Sequence, residues 1–310
     1  MPQHVIAAVV QAGSLLFDTP RTIDKVEHYC RAANRSSANL VVFPEAFVGG
    51  YPKGITFGAH VGSRSDAGRE QFRRYFESAI EERGPESARL AQIAADNQLY
   101  LVIGVIERSG STLYCSVFFF SPGGSLVAKH RKLMPTASER LIWGQGDGST
   151  MPAVTTEFGV LGAVICWENY MPLFRAAMYA KGINLWCAPT VDDRVTWTPS
   201  MQHIAMEGRC FVLSACQYLL RSDCPADYQP IQGDAPSTQL IKGGSVIVGP
   251  LGHILAGPLR DAEGILTAQL DMGDIVRGKF DLDTVGHYAR PDVFSLSVNE
   301  RRNEAVTFES

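Results

Sequence analysis

The chain has 310 residues, of which 45% are hydrophobic and 19% charged, so it can bury a large core and is neither collagen-like nor disordered. Its 28 Lys and Arg residues against 32 Asp and Glu residues give a net charge of −4, which offers no basic excess for nucleic acid or an anionic membrane. No apolar run approaches the roughly 20 residues that a membrane-spanning helix needs.

The cysteines do not have the pattern of a secreted disulfide framework. There are seven of them, an odd number, and none forms a C-x-x-C pair. The first residues lack the basic region of a signal peptide, and their short apolar run is typical of a strand. We therefore expect reduced thiols and a cytoplasmic location.

The first third of the chain alternates strand and helix patterns. Apolar runs predict strands at residues 5–10 and 40–43, and mixed helical spacing predicts helices at 22–33, 69–82 and 86–97. A strand–helix–strand opening of this kind is typical of layered α/β folds.

The middle of the chain has the pattern of consecutive hairpins. Strands are predicted at residues 99–107 and 112–120, and the turn Pro122-Gly123-Gly124 leads into a third strand at 126–129. Antiparallel neighbours of this kind predict a mixed sheet.

The remaining elements continue the alternation to the end of the chain. They are a strand pair within 154–165, a helix at 172–181 and strands at 183–187, 211–217, 244–248, 253–256 and 265–270. No repeat or low-complexity linker divides them, so residues 1–310 are expected to form a single domain. The polar stretch 222–238 is predicted to be a surface loop or lid.

Three reactive side chains follow predicted strands within a few residues. Glu45 follows the strand at 40–43, Lys132 follows the strand at 126–129, and Cys166 follows the strand pair at 154–165. Each alone has an ordinary interpretation: a solvated turn carboxylate, a solvated basic cluster or a buried small side chain. Together they suit nucleophilic catalysis, because a carboxylate can accept the thiol proton while an ammonium favours the thiolate and the charge that grows on the substrate.

Several longer segments make the sequence similar to a known family. It resembles the nitrilase branch of the carbon–nitrogen hydrolase (nitrilase) superfamily, and the resemblance covers nearly the whole chain. The matching segments are Phe43-Pro44-Glu45-Ala46-Phe47, His130-Arg131-Lys132-Leu133-Met134-Pro135-Thr136, Glu139-Arg140-Leu141-Ile142-Trp143-Gly144-Gln145-Gly146-Asp147-Gly148, Ile165-Cys166-Trp167-Glu168-Asn169 and Val285-Gly286-His287-Tyr288-Ala289-Arg290-Pro291.

The resemblance implies a fold and a set of roles. The fold is an α-β-β-α sandwich with mixed sheets, and two subunits are expected to pair into an α-β-β-α-α-β-β-α dimer or a larger spiral. Cys166 would be the nucleophile, Glu45 the general base and Lys132 the stabiliser of the tetrahedral intermediate, while Glu139 would orient Lys132 or the substrate. The implied activity converts an organic nitrile to the carboxylic acid and ammonia with no metal or organic cofactor.

Residues that flank the motif strands are candidates for the substrate pocket. They are Trp167, Tyr51, Trp186, Pro189 and Thr190. Trp167 adjoins the nucleophile and is therefore the first choice, although apolar residues beside strands are more often part of a core. An aromatic wall would suit an aryl or arylaliphatic nitrile.

Other functions stay open at this stage. The same three residues would serve an amidase or a cyanide-hydrolysing enzyme. A non-catalytic oligomeric binding protein of the same fold is a further alternative, and so is a thiol redox sensor that uses Cys187 as its resolving cysteine.

Overall fold

Two mixed β-sheets form the centre of the molecule, with helices on their outer faces. The computed structural model describes residues 4–304 and 306. The strands are β1 (His4–Gln11), β2 (Leu40–Val42), β3 (Tyr100–Ser109), β4 (Thr112–Phe120), β5 (Leu126–Arg131), β6 (Val154–Thr156), β7 (Gly159–Ala163), β8 (Leu185–Cys187), β9 (Phe211–Ser214), β10 (Tyr218–Leu220), β11 (Gln239–Val248), β12 (Ile254–Arg260) and β13 (Gly264–Asp271). The helices are α1 (Thr19–Arg35), α2 (Asp66–Ser78), α3 (Pro85–Asp96), α4 (Pro172–Ala180), α5 (Trp197–Gly208) and α6 (Gly273–Gly278).

Each sheet has a parallel centre and antiparallel margins. The first sheet has the order β13-β1-β2-β3-β4-β5, in which β1, β2 and β3 are parallel. The second has the order β10-β11-β9-β8-β7-β6 with β12 paired to β11, and its parallel strands are β7, β8 and β9. The carboxyl ends of parallel strands lie at one edge of a sheet, which is where α/β folds place ligands.

Alternation along the strands divides the core into layers. In β1, Val5, Ala7 and Val9 face the core between the two sheets, while Ala8 and Val10 face the core beneath α1 and α3. A third core lies between the second sheet and helices α4 and α5. The order is therefore α-β-β-α, as expected, and strands buried on both faces explain the near-continuous apolar runs in the sequence.

Tertiary contacts changed the predicted bounds of one helix. The helix predicted at residues 69–82 is α2, and it ends at Ser78. Beyond it, the Ile80 N–H donates to the Ile106 carbonyl, and the Arg108 N–H donates to the Ile80 carbonyl. Pairing with β3 thus removes these residues from the helix.

Two helices had no counterpart among the predictions, namely α5 and the short α6. The segment predicted as a loop lies mostly on the surface, with no helix or strand assigned between residues 224 and 238. Within the described residues, no helix is long and apolar enough to cross a membrane.

Candidate functional site

Glu45 lies where the chain leaves β2 in the first sheet. The Gly104 N–H of β3 donates to the Pro44 carbonyl at 3.2 Å, and the chain then turns at Ala46, which has a φ of 48°. Gly104 permits this close approach, because a Cβ there would lie 2.2 Å from the Pro44 carbonyl oxygen. The buried Gln217 amide donates to the Glu45 carbonyl at 2.8 Å and fixes the turn from the second sheet.

Lys132 follows β5 directly and is fully buried. Its N–H donates to the Cys115 carbonyl at 2.8 Å, which extends the pairing with β4 by one residue beyond the strand. Its ammonium reaches between the sheets and lies 5.8 Å from the centre of the Trp143 ring.

Cys166 begins a short 3₁₀ turn, Cys166–Tyr170, after β7. It has a φ of 48°, a left-handed conformation that is uncommon for a side chain with a Cβ. The Cys166 N–H donates to the Pro189 carbonyl at 2.9 Å, and the Asn169 amide donates to the Cys166 carbonyl at 2.8 Å. These bonds hold the strained residue, and such strain at a strand end is typical of functional sites.

The three predicted catalytic side chains meet at one place. The Lys132 ammonium donates to Glu45 Oε1 at 2.6 Å and to Glu139 Oε2 at 2.9 Å. The Thr190 hydroxyl donates to Cys166 Sγ at 3.2 Å. Glu45 Oε2 is buried and has no hydrogen-bond partner among the described residues, so one carboxylate oxygen is open to a proton from the thiol or from water.

Burial and neighbouring charges set the protonation states. Burial raises the pKa of Glu45, and the positive charge of Lys132 only partly opposes this. Burial would lower the pKa of Lys132, but the Glu45 and Glu139 carboxylates raise it well above its usual value. Burial and the Glu45 charge raise the pKa of Cys166. Burial therefore favours the neutral Cys166 thiol, while the contact of 2.6 Å between Lys132 and Glu45 favours the ammonium and the carboxylate.

Glu139 supports Lys132 from a second side. It lies on a 3₁₀ turn, Ala137–Leu141, where its Oε2 also accepts the Thr136 N–H at 2.6 Å. Its Oε1 accepts the Tyr51 hydroxyl proton at 2.7 Å. Burial and the Glu139 charge raise the pKa of Tyr51 well above its usual value, so Tyr51 stays a donor. Lys132 thus lies between the carboxylates of Glu45 and Glu139.

A cavity of about 180 Å³ opens at Cys166. Its wall contains Tyr51, Lys53, Thr136, Glu139, Cys166, Trp167, Val191, Asp192, Asp193 and Arg194. A second cavity of about 350 Å³ shares Tyr51, Lys53 and Glu139 with it and is otherwise largely apolar. The first cavity accommodates a small reacting group, and the second adjoins it on the Tyr51 side.

Trp167 lies at the cavity with 42% of its surface exposed. Its indole N–H donates to Asp192 Oδ2 at 2.8 Å, and the Arg194 guanidinium lies 4.8 Å from the ring centre. Arg194 also donates to both oxygens of Asp192. Asp192 holds the edge of the Trp167 ring and Arg194 contacts its face, so the ring is a fixed part of the cavity wall.

The structure corrects the pocket assignment for Trp186. Along β8, Leu185 and Cys187 face the core between the sheets, whereas Trp186 faces the α4 and α5 side. It is fully buried there, and its N–H donates to Asn169 Oδ1 at 2.8 Å. The alternation of a strand thus turns it away from the cavity.

Pro189 and Thr190 are also absent from the cavity wall. Both are next to the nucleophile instead, Pro189 through its carbonyl and Thr190 through its hydroxyl. The wall residues that sequence reasoning missed are Lys53, Thr136 and the run 191–194. Residues 191–194 could have been predicted from the sequence, because they follow β8, a parallel strand beside β7, and therefore lie at the same edge of the sheet as Cys166.

The two sheets bring Glu45 and Lys132 together beside a cavity that Cys166 lines, within an α-β-β-α fold. The sequence matches the carbon-nitrogen hydrolase family over residues 6–280, and the chain belongs to this family.

Relatives and solved structures agree with this assignment. The chain is 57% identical to the aliphatic nitrilase of Sinorhizobium fredii (strain HH103), covering 97% of each chain, and 53% identical to nitrilase 2 of Arabidopsis thaliana, covering 98% of this chain and 91% of the relative. Saccharomyces cerevisiae Nit3, a member of branch 10 of the nitrilase superfamily, has a similar fold with a TM-score of 0.70 at 22% identity, covering 93% of this chain and 97% of Nit3.

Proposed function

We propose that the chain is a nitrilase that hydrolyses an organic nitrile to the carboxylic acid and ammonia. The observation that carries the proposal is the buried Glu45–Lys132 ion pair, with an N–O distance of 2.6 Å, beside the neutral Cys166 thiol at a small cavity. The identities of 53% and 57% to proteins named nitrilases support the substrate class.

The proposed reaction starts from the neutral thiol. Glu45 accepts the proton of Cys166, the sulfur forms a bond to the nitrile carbon, and the nitrogen takes up a proton to give a thioimidate. Lys132 is placed to stabilise negative charge on the nitrogen and later on the tetrahedral intermediate. Glu139 and Tyr51 keep the ammonium directed at this point.

Two waters complete the proposed cycle. The first water adds to the thioimidate carbon and gives a tetrahedral intermediate. Its carbon–nitrogen bond breaks, ammonia departs, and a thioester remains on Cys166. The second water, deprotonated by Glu45, attacks the thioester and releases the acid while Cys166 regains its proton. If the carbon–sulfur bond breaks in the first tetrahedral intermediate instead, an amide is the product. This leakage is a hypothesis, and finding acid as the sole product from several nitriles would contradict it.

The test is ammonia release from a panel of aliphatic, aryl and arylaliphatic nitriles beside matching amides and cyanide. We expect turnover of nitriles that Cys166→Ala abolishes and Glu45→Gln lowers by at least about 1,000-fold. Cys30→Ala and Glu157→Gln are matched controls, because the first removes a buried thiol on α1 and the second a surface carboxylate. Both should retain wild-type turnover.

The outcomes separate the competing functions. Turnover of amides without nitriles would assign an amidase, and turnover of cyanide alone would assign a cyanide-hydrolysing enzyme. No ammonia from any of these, together with a Cys166 that does not react with a thiol reagent, would assign a binding protein.

We also propose that residues 1–310 act as one domain that pairs with a second copy in the cytoplasm. Large apolar side chains on the surface support self-association, among them Leu173 on α4, Val276 on α6, Phe280 and Phe294, which are 69–89% exposed. Light scattering behind size-exclusion chromatography should give at least twice the 33.8 kDa of the chain. A monomer at micromolar concentration would contradict the pairing.

A further inference from the structure

Two buried side chains outside the proposed reaction, His130 and Glu168, join the segment of Lys132 to the segment of Cys166. Both side chains are fully shielded from solvent. Glu168 Oε1 accepts the Leu133 N–H at 2.6 Å, and Glu168 Oε2 accepts the Ile165 N–H at 2.8 Å. One carboxylate therefore holds the residue after Lys132 and the residue before Cys166.

His130 completes the hydrogen bonding of this carboxylate. Its Nδ1 lies 3.0 Å from the Thr150 carbonyl oxygen, and its Nε2 lies 3.0 Å from Glu168 Oε2. A carbonyl only accepts hydrogen bonds, so Nδ1 must donate. The imidazole thus bridges the Thr150 carbonyl and the Glu168 carboxyl group.

The pair also lies at the junction of the two sheets. His130 is on β5 of the first sheet, and Glu168 is on the turn after β7 of the second. In the described chain, Lys132 forms ion pairs with Glu45 and Glu139. The bonds of Glu168 to Leu133 and Ile165 add a direct connection between the segment of Lys132 and the segment of Cys166.

We propose that His130 and Glu168 are positioning residues that set the distance between the Lys132 ammonium and the Cys166 thiol. The His130 ring, which lies between the Thr150 carbonyl and Glu168, keeps Glu168 in place as the acceptor of both backbone N–H groups. This inference rests on the proposed nitrile hydrolysis, in which both groups act on the same carbon–nitrogen bond. Because a misplacement of about 1 Å costs about 100-fold in rate, the pair acts on kcat rather than on substrate binding.

The first test is Glu168→Gln. A glutamine has one acceptor oxygen, so one of the two backbone N–H groups loses its partner. We expect kcat for a nitrile to fall about 10- to 100-fold with KM within about threefold of wild type. The matched control is Glu107→Gln, which removes another buried carboxylate that binds β5, through the side chains of Lys129 and Arg131, but accepts no hydrogen bond from the backbone of Leu133 or Ile165. Its kcat should stay within about threefold of wild type.

The second test is His130→Gln, alone and combined with Glu168→Gln. His130→Gln leaves both backbone bonds of Glu168 and should lower kcat less than Glu168→Gln. The double variant should lose no more than Glu168→Gln alone, because the two residues act as one unit. The proposal would be overturned if the fold-reductions in kcat of the two single variants multiplied in the double variant. It would also be overturned if Glu168→Gln had the same kcat as Glu107→Gln.

A readout that needs no substrate separates this inference from the proposed function. Alkylation of Cys166 by iodoacetamide, followed by mass spectrometry, reports how well Glu45 and Lys132 favour the thiolate. We expect alkylation at least about fivefold slower in Glu168→Gln than in Glu107→Gln. A wild-type protein that releases no ammonia from nitriles refutes the proposed function but leaves this comparison valid. If Glu168→Gln does not fold, the alkylation rate of His130→Gln is the deciding measurement. A wild-type rate in that variant would refute the positioning role of His130 and Glu168.

Discussion

Cys166 is a thiol held neutral next to the groups that can ionise it. Burial and the Glu45 carboxylate raise its pKa, while Lys132 and the Thr190 hydroxyl lower it. The balance keeps the sulfur protonated at rest, so attack requires proton transfer to Glu45. Small changes at single residues around the sulfur should therefore change the rate without changing the fold.

Thr190→Val should lower kcat/KM about tenfold. The substitution removes the hydroxyl that lies 3.2 Å from Cys166 Sγ, and a hydrogen bond to a charged group contributes about 1.5 kcal/mol, or about one power of ten. Thr190→Ser keeps the hydroxyl and is the control, which should stay within about twofold of wild type. Steady-state kinetics on one nitrile measure both, and equal rates for the two variants would contradict the role of this bond.

The pH profile should report the environment of Glu45. Burial raises its pKa, so protonation on acidification begins at a higher pH than for an ordinary glutamate, whose pKa is about 4.3. Since the base must be ionised to accept a proton, the acid limb of kcat/KM should have its midpoint above about 4.3. Circular dichroism at each pH is the control for unfolding. An acid limb at or below pH 4 in folded protein would contradict the assignment of Glu45 as base.

Among the elements, β3, β4 and β5 are joined by the buried carboxylate of Glu107. It accepts hydrogen bonds from Lys129 and Arg131 on β5 at 2.6 Å and from Ser116 on β4 at 2.8 Å. Burial alone would raise the pKa of Glu107, but the hydrogen bonds from Arg131 and Lys129 outweigh it and lower the pKa. The strand that presents Lys132 is therefore held by charge as well as by the backbone ladder.

Glu107→Gln should lower the free energy of unfolding at pH 7 by about 2 kcal/mol, since Arg131 loses its carboxylate partner and Lys129 keeps only Glu82. Because the pKa of Glu107 is lower in the folded state, its ionised carboxylate stabilises the fold fully above the unfolded-state pKa of about 4.3. This stabilisation is lost as the pH falls through the folded-state pKa. The difference in unfolding free energy between wild type and Glu107→Gln should therefore become smaller on acidification. Urea unfolding at pH 7 and pH 4 measures this difference. A larger difference at pH 4 would show that the pKa of Glu107 is not lowered in the folded state.

On the scale of the whole molecule, the two sheets share one core that ends at the cavity. Leu185 of β8 lies in this core together with Val42 and Val102 of the first sheet and Cys166 itself. The second sheet also reaches Glu45 directly through Gln217. Neither sheet alone contains the whole site, so folding of the two should be coupled.

Leu185→Ala should cost about 2–5 kcal/mol, because the side chain is fully buried and leaves a cavity. If residues 1–310 form one domain, far-UV circular dichroism and tryptophan fluorescence should give the same unfolding midpoint in wild type and variant. Val127→Ala, at a site 45% exposed on β5, is the control and should change stability by less than about 0.5 kcal/mol. Two separate transitions would contradict the single domain.

The sequence alone determined the layered α/β fold and the positions of most strands, since buried strands leave apolar runs that local pattern can read. It also predicted Glu45, Lys132 and Cys166 as a reactive set, because each follows a strand, and the family resemblance added Glu139. The end of α2 at Ser78, the burial of Trp186 behind β8 and the pairing of His130 with Glu168 were decided by the tertiary structure. Each of these depends on contacts between residues distant in the chain, and such contacts leave no periodic signal in the sequence.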